Sequence, residues 1–256
     1  MYKIIASCIS HCGMVREMNE DNLYFDGKFL EEKHRGLEKA VTIHRDTSQL
    51  RSFAVFDGMG GEKDGEVASY LAAVQFRQEM GRQITESESP RDFLEKVCLD
   101  MNQTICEEAV KRQAQGMGTT ATILCLKNEE MTVCNLGDSP AFLVREGEIF
   151  PLHEEHTNRH FLEEQGIAFR KPSLTQCLGI PPEEMAIHPY IHEDDIREGD
   201  QYLLCSDGLT DMVSREEIHR ILQENLTPGD CLEKLQKQAL ERGGKDNITI
   251  ILCRIA

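Results

Sequence analysis

Basic residues are scarce in this 256-residue sequence, which has 28 Lys and Arg against 45 Asp and Glu and a formal net charge of -17. Nucleic acids and anionic membranes are bound mainly through clustered Lys and Arg side chains, and their phosphates repel an acidic surface. We therefore expect no nucleic acid and no membrane among the main partners. The charge alone excludes these classes but does not indicate a function.

Long apolar runs are also missing. The amino-terminal stretch MYKIIASCISHCG has one Lys and an apolar segment too short for a signal peptide, and no later run reaches the length of a membrane span. We expect a cytoplasmic protein. The ten cysteines are spread through apolar runs without CxxC spacing, which favours reduced buried thiols over disulfides.

Nucleotide-binding loops are absent from the sequence as well. The glycines that follow Asp57 do not have GxGxxG spacing, and no P-loop lysine follows them. The stretch 243–245, Gly-Gly-Lys, lacks the earlier glycine of a P-loop and the Ser or Thr after it. We interpret it as a turn before the last strand.

The apolar segments that are present predict a layered sandwich in one domain over residues 1–256, since a hydrophobic content of 40% is sufficient for one substantial core. Between residues 117 and 152, four apolar segments alternate with the short connectors KNEE, GDSP and REGE, which indicates an antiparallel meander. The segments FAVF (53–56) and YLLC (202–205) are apolar at consecutive positions, as in strands that are buried on both faces.

Helices that cover such strands are predicted from apolar residues at helical spacing over residues 62–80 and 91–113. A capping box of Ser214 and Glu217 opens a third helix, and Thr227 followed by proline opens a fourth. Residues 28–52 are polar, mixed in charge and poorly periodic, so we interpret them as a surface insertion.

Carboxylates recur where apolar runs end. Any single Asp-Gly pair is typical of an ordinary turn. If the runs are neighbouring strands, however, the carboxylates meet at one rim and repel one another unless a cation neutralises them. Oxygen donors of this kind suit Mg²⁺ or Mn²⁺ rather than zinc. The residues in question are Asp21, Asp57, Asp138, Asp207 and Asp246.

Six short motifs contain these carboxylates and appear in a fixed order along nearly the whole chain. In this order the sequence resembles the metal-dependent type 2C protein serine/threonine phosphatases, the PPM family, and especially their compact bacterial members. The motifs are Gly13-x-x-Arg16-x-x-Asn19-Glu20-Asp21, Asp57-Gly58-Met59-Gly60-Gly61, Gly118-Thr119-Thr120, Gly137-Asp138-Ser139, Ser206-Asp207-Gly208-Leu209 and Asp246-Asn247-x-Thr249.

The resemblance implies an α+β fold, a four-layer αββα sandwich of two antiparallel sheets flanked by helix pairs. It also implies a centre of two Mg²⁺ or Mn²⁺ ions at one edge of the sheets. By this resemblance Asp57 bridges both ions, and Asp207 and Asp246 hold the first. The carbonyl of Gly58 and the side chain of Glu20 serve the second ion, Glu20 directly or through water.

Three further roles follow from the same resemblance. Asp21 orients metal-bound waters, and a third, weaker ion uses Asp138 together with Asp207. Arg16 holds the substrate phosphate with its planar guanidinium, a bidentate role that lysine fills poorly. The alternative for this arginine is an ordinary ion pair with Glu17 or Glu20.

The implied activity is hydrolysis of phosphoserine and phosphothreonine in proteins by a water or hydroxide that the two ions activate. We expect the substrates to be signalling proteins phosphorylated by a bacterial serine/threonine kinase, and we expect a monomer. A catalytically weak, phosphatase-like regulatory module that binds a phosphoprotein or a signalling partner is the alternative. A third hypothesis is a metal-dependent hydrolase of another phosphate ester, or a phosphatase specialised for an anti-sigma-factor antagonist in a stress or sporulation switch.

The sequence departs from the family at three places. Met59 stands where many members have a histidine proposed to protonate the leaving alcohol, so no acid is available there. Pro140 replaces the arginine that commonly follows Gly-Asp-Ser and stiffens this connector. The stretch from about 157 to 174 is shorter than the flap subdomain that is usual in bacterial members, which weakens any inference about substrate specificity.

Overall fold

The computed structural model describes residues 1–59, 64–82, 89–168 and 171–256. Its helices are α1 (Gly65–Met80), α2 (Pro90–Arg112), α3 (Arg159–Glu164), α4 (Asp207–Thr210), α5 (Arg215–Leu222) and α6 (Pro228–Glu241). Its strands are β1 (Lys3–His11), β2 (Asp21–Phe25), β3 (Lys28–Phe29), β4 (Val41–Asp46), β5 (Arg51–Met59), β6 (Gly118–Thr119), β7 (Ala121–Lys127), β8 (Glu130–Leu136), β9 (Ala141–Arg145), β10 (Glu148–Pro151), β11 (Tyr190–Asp195), β12 (Gln201–Cys205) and β13 (Ile248–Ile255).

The strands form two antiparallel sheets. The first sheet has six strands in the order β10-β9-β12-β13-β1-β4, and the second has the order β11-β8-β7-β5-β2-β3, with β6 paired to the end of β5. In each sheet some neighbouring strands are distant in sequence, since β13 lies beside β1 in the first sheet and β7 lies beside β5 in the second. The sheets therefore bring together segments from both ends of the chain.

The second sheet is buried on both faces, as the FAVF segment predicts. Phe53 and Val55 of β5 enter the apolar cluster between the two sheets, whereas Ala54 and Phe56 enter a cluster with α1 and α2. Because side chains alternate along a strand, a continuous apolar run is required to fill both layers.

The first sheet repeats this arrangement on its own side. Tyr202 and Leu204 of β12 pack between the sheets, and Leu203 and Cys205 pack against α5 and α6. The layers are therefore helices, sheet, sheet and helices. The predicted four-layer αββα sandwich is confirmed.

The four predicted helices are present, with small shifts at their ends. Helix α1 begins at Gly65, and residues 62 and 63 of the predicted helix lie outside the described part of the chain. The capping box forms at α5, where Ser214 accepts from the backbone N–H of Glu217 and the Glu217 side chain accepts from the backbone N–H of Ser214. Helix α6 begins at Pro228 after an N-cap at Thr227.

The prediction of one meander between residues 117 and 152 is wrong. Strands β7 and β8 pair in the second sheet, but β9 and β10 pair in the first, so the GDSP connector passes from one sheet to the other. The side chains of Thr122 and Asn135 donate to the backbone oxygen of Ser139 at 2.6 and 3.0 Å, and Gly137 has φ 116°. The glycine permits the turn out of the sheet, which a connector's length alone does not reveal.

The polar segment 28–52 lies at the surface, and it supplies strands as well as loops. Strand β4 is the edge strand of the first sheet and pairs along β1, and most of its residues are exposed. Polar and charged side chains on an edge strand discourage pairing with other chains, which accounts for the weak apolar periodicity of this segment. All ten cysteines are free thiols, as predicted.

Candidate metal centre and active site

The two sheets bring the five predicted carboxylates to one edge of the sandwich. Asp21 and Asp57 are directly opposite each other on β2 and β5 of the second sheet. Asp207 follows β12, and Asp246 stands just before β13, so these two come from the first sheet. Asp138 lies in the connector between the sheets. A cavity of about 280 Å³ is lined by Asp57, Asp138, Asp207 and Asp246, together with Arg16, Glu20 and Gly58.

Asp21 lies buried at this edge, with 1% of its surface exposed. Its Oδ2 accepts a hydrogen bond of 2.7 Å from Ser206 Oγ, whereas its Oδ1 has no hydrogen-bond partner among the described residues. Burial raises the pKa of Asp21 to about 7, the nearby hydroxyls of Thr249 and Ser206 lower it, and the charge of Asp207 raises it. An unpartnered buried carboxylate oxygen is costly, so it indicates that a water or cation belongs beside it.

Asp57 is held by its backbone, and its side chain is left free for the cavity. Its carbonyl accepts 2.9 Å hydrogen bonds from Thr119 Oγ1 and from the backbone N–H of Thr120, and its own N–H donates to Thr120 Oγ1 at 3.1 Å. The two threonines of the Gly-Thr-Thr motif therefore hold the backbone of Asp57 in position. Burial, with the charges of Asp21 and Asp207, raises the pKa of Asp57 well above its ordinary value.

The loop between β1 and β2 carries Arg16 and Glu20 and is fastened by Asn247. The side-chain amide of Asn247 donates to the carbonyls of Cys12 and Met18, both at 2.9 Å, and its oxygen accepts from the backbone N–H of Glu20 at 2.8 Å. Because Asn247 adjoins Asp246, one side chain fixes the loop against the carboxylate cluster.

Arg16 lines the cavity and is 48% exposed. Its Nη2 lies 2.8 Å from Asp246 Oδ2, and its Nη1 lies 3.9 Å from Glu20 Oε2. Asp246 is therefore the nearer partner of Arg16, whereas the sequence suggests only Glu17 and Glu20. The guanidinium is thus held at the cavity wall by two carboxylates.

Gly58 is a glycine for a steric reason. A Cβ at this position would lie 2.2 Å from the Gly65 oxygen and 2.3 Å from the Glu20 oxygen. The N–H of Gly58 donates to that Glu20 oxygen at 3.1 Å. The close approach of these backbones requires a glycine, and Gly58 lines the cavity beside Asp57.

Lys171 is a cavity residue that the sequence does not reveal. Its ammonium contacts Asp207 Oδ2 and lies 3.9 Å from Asp211 Oδ2. The pKa of Asp138 in the same cavity rises to about 6, because burial and the charge of Asp207 raise it more than Lys171 lowers it. No motif carries Lys171, which is 36 residues from Asp207 in sequence. Within the predicted flap the structure describes residues 157–168 and 171–174. Gly60 and Gly61 of the second motif lie outside the described residues.

The donor set fits hard divalent cations. The described residues that line the cavity offer carboxylates and a backbone carbonyl, and they include no His and no Cys. Across the described ranges, no group of three or more His, Cys, Asp or Glu side chains is already arranged as a set of metal ligands. Carboxylates without a cation repel one another, and Mg²⁺ retains several waters among its ligands, so an open ring of oxygens is the expected form of such a site.

Known protein families and proteins match most of this chain. The profile of the protein phosphatase 2C family matches residues 38–241. The chain is 29% identical over 265 residues to serine/threonine protein phosphatase PstP of Mycobacterium tuberculosis, covering 95% of this chain and 43% of PstP. It is also 29% identical over 252 residues to serine/threonine phosphatase stp of Listeria innocua, covering 94% of this chain and 91% of that protein.

A solved structure of the catalytic domain of PstP in complex with two manganese ions has the same fold. Its TM-score is 0.78 at 26% identity, and the superposition covers 99% of both chains. The fold of this chain is therefore that of a protein phosphatase domain. The chain belongs to the protein phosphatase 2C family, which confirms the resemblance seen in the six motifs. It spans 43% of the length of the mycobacterial relative. No described helix is both long and apolar enough to cross a membrane.

Proposed function

We propose that this chain is a metal-dependent phosphatase that removes phosphate from phosphoserine and phosphothreonine in proteins. The observation that carries the proposal is the open ring of carboxylates with Arg16 at its wall. The printed names of the relatives support the reaction, and the two manganese ions of the PstP domain support the predicted cofactor. The catalytic domain is the chain 1–256, acting as a monomer on proteins that a bacterial serine/threonine kinase phosphorylates.

The residues divide the work as follows. Asp57 would contribute to holding both of two Mg²⁺ or Mn²⁺ ions, Asp207 and Asp246 would hold the first, and Glu20 with the Gly58 carbonyl would hold the second. When bound, the two ions would lower the pKa of a shared water so that hydroxide is available near neutral pH.

The other side chains bind the phosphate and position water. Arg16 binds the phosphate oxygens, and Ser206 holds one oxygen of Asp21 so that the unpartnered Oδ1 is turned to accept from a water. Asp138 and Asp207 share the cavity with Lys171, where a third ion would have to compete with the ammonium.

The test replaces the bridging carboxylate. We expect Asp57→Asn to lower Mn²⁺-dependent hydrolysis of p-nitrophenyl phosphate on the order of 100-fold or more, because an amide cannot hold two cations as a carboxylate does. The matched control is Asp195→Asn, whose exposed side chain is outside the cavity. Circular dichroism of both variants checks the fold.

Two outcomes would contradict the proposal. One is turnover by Asp57→Asn at the level of the wild-type protein, and the other is hydrolysis that survives EDTA. A panel of peptides with phosphoserine, phosphothreonine or phosphotyrosine then separates the proposed substrates from other phosphate esters. Binding of phosphopeptides without any turnover would favour the regulatory-module alternative instead.

A further inference from the structure

A second cavity, larger than the carboxylate cavity, opens beside it. This groove, of about 1140 Å³, lies between the carboxyl-terminal half of α2 and the segment 174–185, and it begins at Met59 and Gly118. We call it the α2 groove. No catalytic role proposed above uses it.

The α2 groove is held open by specific contacts. Asn102 of α2 is 3% exposed, and its Oδ1 accepts from the backbone N–H of Gly179 at 2.7 Å and of Ile180 at 3.1 Å. Its Nδ2 donates to the Ile180 oxygen at 2.9 Å. Thr119 and Leu178 exchange two backbone hydrogen bonds of 3.0 and 2.9 Å. A wall fixed in this way needs no reordering to receive a ligand, which reduces the cost of binding.

The α2 groove is continuous with the carboxylate cavity. Met59 and Leu174 line both. Met59 is the last residue of β5, two positions after Asp57, and pairs with Gly118 of β6. A polypeptide whose phosphorylated side chain reaches the carboxylate cavity therefore has an adjoining channel for the residues next to it.

The chemistry of the groove differs from that of the carboxylate cavity. Its described lining is largely apolar, and Val110 and Met185 are 79% and 39% exposed. The charged residues among the described lining are Glu183 and Glu184, both exposed, with no Lys, Arg or His beside them. Apolar walls with two carboxylates complement a segment that has apolar and basic side chains.

We infer that the α2 groove binds the segment of the phosphoprotein substrate that flanks the phosphorylated residue, and that it selects apolar side chains next to Lys or Arg. This inference rests on the proposed function. Arg16 would then recognise the phosphate, and the groove would recognise the sequence around it. The α2 groove would then supply the substrate specificity that the short flap does not provide.

The experiment compares two synthetic phosphothreonine peptides of about ten residues, one flanked by Leu and Lys and the other by Leu and Glu. With Mn²⁺, we expect Glu183→Lys/Glu184→Lys to lower kcat/KM for the Lys peptide about three- to tenfold and to raise it for the Glu peptide, because the sign of the charge pair is reversed. Hydrolysis of p-nitrophenyl phosphate, which has no flanking residues, is the internal reference. Glu198→Lys is the charge control, since Glu198 is exposed and outside the groove.

The apolar wall is tested by Val110→Glu against Leu99→Glu. Both side chains are exposed on α2, at 79% and 54%, but Leu99 does not line the groove. We expect only Val110→Glu to lower kcat/KM for the peptide with apolar flanks, by about threefold or more.

Fluorescence anisotropy with a non-hydrolysable phosphonate form of the Lys peptide measures docking without turnover. If the wild-type protein hydrolyses none of the substrates, the proposed function fails. The anisotropy measurement then decides by itself whether the α2 groove binds the peptide. The inference would be overturned if Glu183→Lys/Glu184→Lys changed kcat/KM equally for both peptides, or if Val110→Glu and Leu99→Glu had equal effects. It would also be overturned if Glu183→Lys/Glu184→Lys left the dissociation constant of the phosphonate peptide unchanged.

Discussion

Replacing Asp21 by Asn should change the stability of the metal-free protein with a sign that depends on pH. Burial raises the pKa of Asp21 from its ordinary value of 3.8 to about 7. The folded protein therefore holds a proton that the unfolded chain has released between these two values. Stability is lost as the pH rises from about 4 to about 7 and is constant above that range.

The magnitude follows from the shift in pKa. The difference between the two pKa values corresponds to about 4 kcal/mol at pH 8, but to only about 0.5 kcal/mol at pH 4, where the carboxyl is protonated in the folded state and has released its proton only in part in the unfolded chain. Asn removes this titration but places an amide where Asp21 Oδ1 has no partner, at a cost of about 1 kcal/mol. Asp21→Asn should therefore stabilise the protein by about 3 kcal/mol at pH 8 and be slightly destabilising at pH 4.

Urea unfolding in EDTA at both pH values, followed by circular dichroism, measures this effect. Saturating Mn²⁺ should reduce the advantage of Asn at pH 8, because cations that bind only the folded state stabilise the carboxylate form. Asp195→Asn, with its exposed side chain, is the control. An equal effect of Asp21→Asn at both pH values would refute the electrostatic reasoning.

Two further predictions concern other charged pairs. Arg145 donates to both oxygens of the buried Asp200 at 2.8 Å and to Asp194 at 2.7 Å, so Arg145→Met should lower the free energy of unfolding by about 3 kcal/mol. A loss in urea unfolding below about 1 kcal/mol would contradict this, and Asp200→Asn in the same chain should recover part of it. Lys171→Met should tighten Mn²⁺ binding about two- to fivefold in calorimetry, because a cation no longer displaces the ammonium from Asp207. Weaker binding would show that Lys171 supports the site instead.

The residues on the exposed side of the site are the least predictable from the sequence. Lys171 lies in the cavity because the chain after α3 returns to the carboxylate edge, and no local pattern encodes that return. In the sequence Met59 stands out only because it is not an acid, whereas in the fold it lines both the carboxylate cavity and the α2 groove. Asn102 appears in the sequence as one polar residue of an amphipathic helix. Its three hydrogen bonds to residues 179 and 180 are visible only in the fold.

The sequence motifs identify some of the polar residues that support the site, but not the residues to which they form hydrogen bonds. The motif residues Thr119 and Thr120 were identified by family order, and the structure shows that they hold the Asp57 backbone. Asn247 was likewise part of a motif, and its amide fastens the loop that carries Arg16 and Glu20. These hydrogen bonds connect residues more than 60 positions apart, which spacing along the chain cannot show.

From the sequence alone, one can determine the elements, their burial and the chemical class of the centre. Apolar runs without alternation require strands covered on both faces, and carboxylates at the ends of those runs require a cation. Only the tertiary structure decides which strands are neighbours. The segment 117–152 divides between the two sheets because Gly137 and the contacts of Ser139 turn the chain out of one sheet into the other. Local patterns specify a residue's environment, whereas long-range pairing depends on the competition among all strands for partners, and that competition is resolved only in the folded chain.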